Sequence, residues 1–108
     1  MDTLLIFTNL PDRESALALA QALVDAHVAA CVNVLGGCTS IYRWQGAIET
    51  AAEVPVLIKT RAALYAAVEQ AIRARHPYDV PEIVAVPLSH GLPAYLEWVA
   101  AETLPATS

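Results

Sequence analysis

Residues 29–60 read AACVNVLGGCTSIYRWQGAIETAAEVPVLIKT, and the architecture follows from them. Ala29 to Val34 has the apolar, β-branched character of a strand. Gly36-Gly37 interrupts it, as a bulge or bend rather than an end. Alternation resumes from Thr39 through Trp44, Gln45-Gly46 supplies a turn, and Ala47 through Thr60 runs back as the partner strand. As a strand, residues 29–44 reach roughly 50 Å at about 3.3 Å per residue. A domain of this size is only about 35 Å across. The hairpin must therefore bend at the glycines or project beyond its own core. Its tip bears Ile41, Tyr42, Trp44 and Ile48, which a lone copy would leave poorly buried. Pro55, inside the returning strand, has no N–H to give and demands an edge position or a bulge.

The flanks complete the pattern. Leu4 to Thr8 is a short apolar run, read as a strand buried on both faces. Pro11-Asp12 breaks it, and Asp12 suits the cap of a helix over Arg13 to His27, with Leu17, Ala20, Val24 and Val28 as its buried stripe. Thr60 suits the cap of a second helix, with Leu64, Val68 and Ile72 facing inward. His76-Pro77 ends that helix, because a residue before proline avoids the helical region. Glu82 to Leu88 is a strand with Val84 and Val86 on one face. Gly91-Leu92-Pro93 opens a last helix, with Leu92, Leu96 and Val99 inward. The order is β-α-β-β-α-β plus a C-terminal helix, which is the ferredoxin-like split arrangement of the α+β class. It predicts one domain over residues 1–108. Two helices cover one face of a four-stranded antiparallel sheet, and something else must cover the other.

Composition narrows the function. Hydrophobic residues make up 56% of the 108, which excludes a disordered chain. The net charge of −5 lacks the footprint of a nucleic-acid binder or of a protein seeking anionic membranes. No apolar run approaches bilayer length. Asp2 stands where a secretory signal carries basic residues, and Leu4 to Phe7 is too short for a signal core, so the expected compartment is the cytoplasm. Cys31 and Cys38 are then reduced thiols, and their spacing matches no zinc or redox motif. Charged residues are 16%, against about 25% in an average soluble domain. Either alanine fills the gap or sister subunits cover part of the surface. Together with the overhanging hairpin, this points to a homo-oligomer.

Particular blocks carry a resemblance. Ala30-Cys31-Val32-Asn33, Ser40-Ile41-Tyr42-Arg43-Trp44-Gln45-Gly46, Lys59-Thr60, His76-Pro77-Tyr78-Asp79-Val80-Pro81-Glu82 and Tyr95-Leu96-Glu97-Trp98 resemble, in order, the CutA family of divalent cation tolerance proteins. The resemblance implies a ferredoxin-like subunit in a tight trimer, similar in architecture to the PII signalling proteins. It implies a link to copper and other divalent ions, and no established catalytic activity. Family members proposed to bind copper use a cysteine at the end of the first strand and two histidines before the Pro-Tyr step. Here those places hold Thr8, Arg75 and His76, so only His76 is left as a metal ligand. A divalent transition ion needs several N, S or O ligands.

Each candidate residue has a plain alternative. His76 as a ligand competes with His76 as a helix-end residue facing the negative terminus. Tyr42, Arg43 and Trp44 either line a ligand cleft between subunits or, as the favoured expectation, join Ile48 at an oligomer interface, where Tyr, Trp and Arg are enriched. Lys59, Glu82 and Tyr78 are the candidates for a ligand cleft between subunits, with a Lys59–Glu82 salt bridge as the alternative for that pair. Ser89-His90, adjacent on a strand or its end, should point to opposite faces and form no nucleophile–base pair. An RNA reader of this fold stacks bases on central-strand aromatics, which Leu4 to Thr8 and Ala52 to Lys59 supply only at Phe7. The expected function is thus non-enzymatic: a trimer binding a small ligand or a divalent ion such as copper. The rival is an interaction scaffold without a physiological metal site.

Overall fold

The computed structural model describes residues 2–104, so residue 1 and residues 105–108 of the expected domain lie outside the described residues. The chain forms β1 (Thr3–Leu10), α1 (Arg13–Asp25), β2 (Cys31–Val34), β3 (Cys38–Trp44) and β4 (Ala47–Arg61). A single 3-10 turn (Ala62–Leu64) leads into α2 (Tyr65–Arg75), then β5 (Ile83–Pro87) and α3 (Pro93–Ala101). The sheet order is β2-β4-β1-β5 with every pairing antiparallel, and β3 lies beside the distal half of β4. This is the ferredoxin-like topology.

The glycines and Pro55 are one device. β2 ends with Val34 opposite Val56, and β3 begins with Cys38 opposite Glu53. Residues 35–37 therefore face only residues 54 and 55, one extra residue on one strand, which is a bulge. Within it the Leu35 N–H donates to the Pro55 carbonyl at 3.0 Å. A strand residue sends its N and its C=O to the same side, so the missing Pro55 N–H faces the bulge and not β1. Proline thus sits inside a central strand without breaking the β1–β4 ladder, where it stands opposite Asn9.

Beyond the bulge, β3 and the first residues of β4 form an arm closed by Gln45 (φ 49°) and Gly46 (φ 83°). The arm projects instead of folding back, and the longest dimension of the molecule is 44 Å. Its tip is bare: Ile41 is 71% and Ile48 67% exposed.

The core lies between the sheet face bearing Ile6, Val56 and Ile58 and the two helices α1 and α2. Fully burying each such side chain stabilises by about 1.5–3 kcal/mol. Asp12 caps α1 as expected, its Oδ1 accepting the Ser15 N–H at 2.7 Å. The buried stripe of α1 is not the expected one. Ala16, Leu19 and Leu23 face the core, while Leu17 (47% exposed) and Val24 overhang the edge strand β2 beside Val32 and Val34. Alanine and leucine make the apolar sector of α1 wider than one stripe, so periodicity selected the neighbouring row. The helix also stops at Asp25, and His27 adopts φ 59°.

In α2, Val68 and Ile72 are buried as expected, after Leu64 in the 3-10 turn. Thr60 is not its cap. β4 runs on to Arg61, and the Thr60 hydroxyl donates to the Val28 carbonyl at 2.6 Å. The opposite face of the sheet is only partly covered, by α3, which packs on β4 and β1. Pro93 opens α3 and Val99 is buried, but Leu92 is exposed and Leu96 only half buried. Val84 and Val86 share this face and are open.

Candidate functional site

The uncovered face turns into a cleft of about 620 Å³ where the arm leaves the sheet. Strand alternation explains what lines it. On β4, residues 49, 51 and 53 point one way, and their cross-strand partners Tyr42, Ser40 and Cys38 share that face, as does Trp44 opposite Ala47. Glu49, Glu53, Tyr42 and Trp44 therefore form one wall. The segment from α2 to β5 forms the other, with Tyr78, Asp79, Val80 and Glu82.

At the floor, Asn9 and Glu82 meet one step beyond the Thr8–Ile83 pair of β1 and β5. The Asn9 Nδ2 donates to Glu82 Oε1 at 3.2 Å. Asn9 is 8% and Glu53 9% exposed. Asn9 Oδ1 is buried and has no hydrogen-bond partner. Partial burial, then the negative charge of Glu53 and the hydrogen bond to it, and last Tyr42, push the Tyr78 hydroxyl above the ordinary tyrosine range.

His76 fixes the second wall. The Tyr78 N–H donates to its Nδ1 at 3.2 Å, which places the ring proton on Nε2. Nε2 then donates to the Asn9 carbonyl at 2.6 Å. The ring is 8% exposed and packs against Tyr78 with centroids 4.7 Å apart. Both nitrogens are thus engaged within the chain. Of the other two positions that the resemblance marks for metal, Thr8 is fully buried and Arg75 exposed at the end of α2. Among the described residues, no group of three or more His, Cys, Asp or Glu is placed to hold a metal ion.

The structure divides the other expected residues. Tyr42 and Trp44 look into the cleft, whereas Arg43 and Ile48 are partners of each other on the opposite face of the arm. Glu82 and Tyr78 are brought together in the cleft, but Lys59 is not. It stands opposite Leu5, four residues from Asn9 along β1, or about 13 Å away. Its Nζ donates to Asn33 Oδ1 and lies 3.9 Å from Cys31 Sγ. Burial and then Cys31 raise the Tyr95 hydroxyl of α3 above its ordinary range, so Tyr95 stands beside this second cluster.

Ser89 and His90 require a correction. They follow β5 in a loop, where strand alternation does not hold, and Ser89 Oγ lies 3.1 Å from His90 Nδ1. The pair is exposed, and among the described residues no third group bonds the other ring nitrogen to orient it. Asn9, Glu49, Glu53 and Asp79 were missed by sequence reading. Their convergence rests on strand register, which no local motif carries.

The relatives agree with this architecture. A family model described as CutA1 divalent ion tolerance protein matches residues 4–102. The divalent-cation tolerance protein CutA of Thermus thermophilus is 42% identical over 98 residues, covering 91% of this chain and 95% of that protein. A solved structure of CutA from Xylella fastidiosa is 47% identical, with a TM-score of 0.91 over 94% of this chain and 98% of that one. Mouse protein CutA is 43% identical over 93 residues, 86% of this chain, but the match spans only 52% of the mouse protein's length. With a family model covering nearly its whole length, the chain belongs to the CutA1 divalent ion tolerance family.

Proposed function

We propose that the protein is a non-enzymatic, cytoplasmic homotrimer of single ferredoxin-like domains that binds a small cationic ligand in the cleft under its arm. Binding there shifts the arm between conformations, in a manner similar to PII signalling proteins. The observation that carries this reading is the cleft, where four carboxylates and three aromatic rings converge beside a buried floor. Assembly is supported by the bare arm tip, by the open Val84 and Val86, and by the low charged fraction of 16%. The free thiols Cys31 and Cys38 suit a reducing compartment.

Copper at the family's positions does not fit the residues present. Thr8 and Arg75 replace two donors, and the His76 nitrogens already serve Asn9 and Tyr78. A divalent ion would need the cleft carboxylates together with donors from a second subunit. The engaged state of His76 is also the observation that favours the rival reading, a scaffold without a physiological metal site.

Equilibrium dialysis against copper, zinc and common cationic metabolites, with sedimentation on the same samples, separates the two. Stoichiometric binding lost in Glu82→Ala supports the cleft. An intact trimer that binds none of them supports the scaffold. Trp44→Ala is expected to weaken assembly, because it removes a large aromatic from the arm. A stable 11.5 kDa species of the unmutated chain at micromolar concentration would refute the trimer.

A further inference from the structure

Resting on the cleft reading above, we infer that the ligand is a small organic cation carrying N–H donors, of the primary-ammonium or guanidinium class, and not a bare metal ion. Three features of the cleft point the same way. The first is charge. Glu49, Glu53, Asp79 and Glu82 line it, and none of the described residues lining it is basic. Glu53, at 9% exposure, is the most buried of the four, and the Tyr78 hydroxyl that bonds it is neutral, so its charge stays unbalanced. A carboxylate taken out of water calls for a cation close by.

The second is the missing donor. Asn9 is nine-tenths buried, and its amide is oriented by the bond from Nδ2 to Glu82. That leaves Oδ1 as a buried acceptor without a partner. Leaving such a group unpaired is costly, and only a donor corrects it. An ammonium or guanidinium group supplies both the charge and several N–H donors. A quaternary ammonium supplies charge without a donor, and a metal ion needs converging oxygens that no group of three provides among the described residues.

The third is the aromatic wall. Tyr42, Trp44 and Tyr78 border the same space. Ring faces attract cations and cover alkyl stems, whereas a hydrated divalent ion gains little from them.

The test titrates the purified full-length protein, at an assembly state fixed by sedimentation, with 1,4-diaminobutane and methylguanidinium. Tetramethylammonium and the chlorides of copper, zinc and magnesium are titrated in parallel. Calorimetry reports binding, with tryptophan fluorescence, to which Trp44 and Trp98 both contribute, as a second readout. Saturable binding of the N–H cations, about tenfold or more tighter than tetramethylammonium, is the expected result. Glu53→Gln is expected to weaken it by about tenfold or more. Glu49→Gln, on the exposed arm where folding is little affected, is expected to weaken it in the same direction. Equal binding of tetramethylammonium overturns the donor requirement and with it this inference. Stoichiometric binding of a divalent ion without binding of the N–H cations overturns the inference but leaves the cleft as a cation site. Binding of no probe by the intact assembly overturns both.

Discussion

Replacing His76 with alanine tests whether this imidazole clamps the cleft. The ring holds two main-chain groups, the Asn9 carbonyl at 2.6 Å and the Tyr78 N–H at 3.2 Å. Asn9 is buried, so its carbonyl loses its ring partner where water does not readily replace it, a cost of about 1–3 kcal/mol. Tyr78 is exposed, so its N–H returns to water and only the net value of a bond is lost, about 0.5–1.5 kcal/mol. The expected sum is about 1.5–4.5 kcal/mol. Arg75→Ala, next door but exposed, should stay within about 0.5 kcal/mol. Urea unfolding of both variants at one protomer concentration measures the difference, since the stability of an oligomer depends on concentration. A loss below about 1 kcal/mol for His76→Ala would refute the clamp. So would copper stabilising the parent protein and not the variant, because that requires a ring nitrogen free to take metal.

Three further outcomes follow from the geometry. Leu19→Ala should cost about 2–5 kcal/mol and Leu17→Ala less than about 1 kcal/mol, because only Leu19 faces the core; equal losses in thermal unfolding would return the buried stripe to Leu17. Gly46→Val should cost about 1–2 kcal/mol from its positive φ alone, since no atom lies within 4 Å of the position a Cβ would take; an unchanged unfolding midpoint would contradict that turn. Tyr65, whose hydroxyl bonds Glu69, and Tyr78 and Tyr95, chiefly through burial, all titrate above the ordinary value of 10.0. A raised value means that the folded state keeps the proton longer. This contribution is therefore complete below pH 10.0 and is lost as pH climbs through the raised values. Urea unfolding along an alkaline series, read beside tyrosinate absorbance, checks it, and stability that holds or rises across that range opposes it.

Residues 29–60 made most of the fold legible. Their length exceeded the width of the globule, Gln45-Gly46 marked the turn, and the glycines opposite Pro55 marked the bulge. The failures have physical causes. Two apolar rows on α1 are equally periodic, and only the position of β2 decides which row meets the core. Thr60 looks like a cap because threonine often is one, yet the strand continues past it and its hydroxyl serves Val28. Ser89 and His90 come together because their loop escapes the alternation of the strand before it.

For the candidate site the division is sharper. Chain order and turn chemistry are local properties, so sequence alone determined the ferredoxin-like order, the overlong hairpin and the aromatic residues on it, while the structure decided that the hairpin projects instead of bending back. Sequence also named Tyr78, Glu82 and His76. Only the tertiary structure decided that Asn9 faces Glu82, that Glu53 is buried beside Tyr78, and that Lys59 stands rows away. Those relations arise from antiparallel register between strands far apart in the chain, and a shift of one residue would turn each of those side chains to the other face.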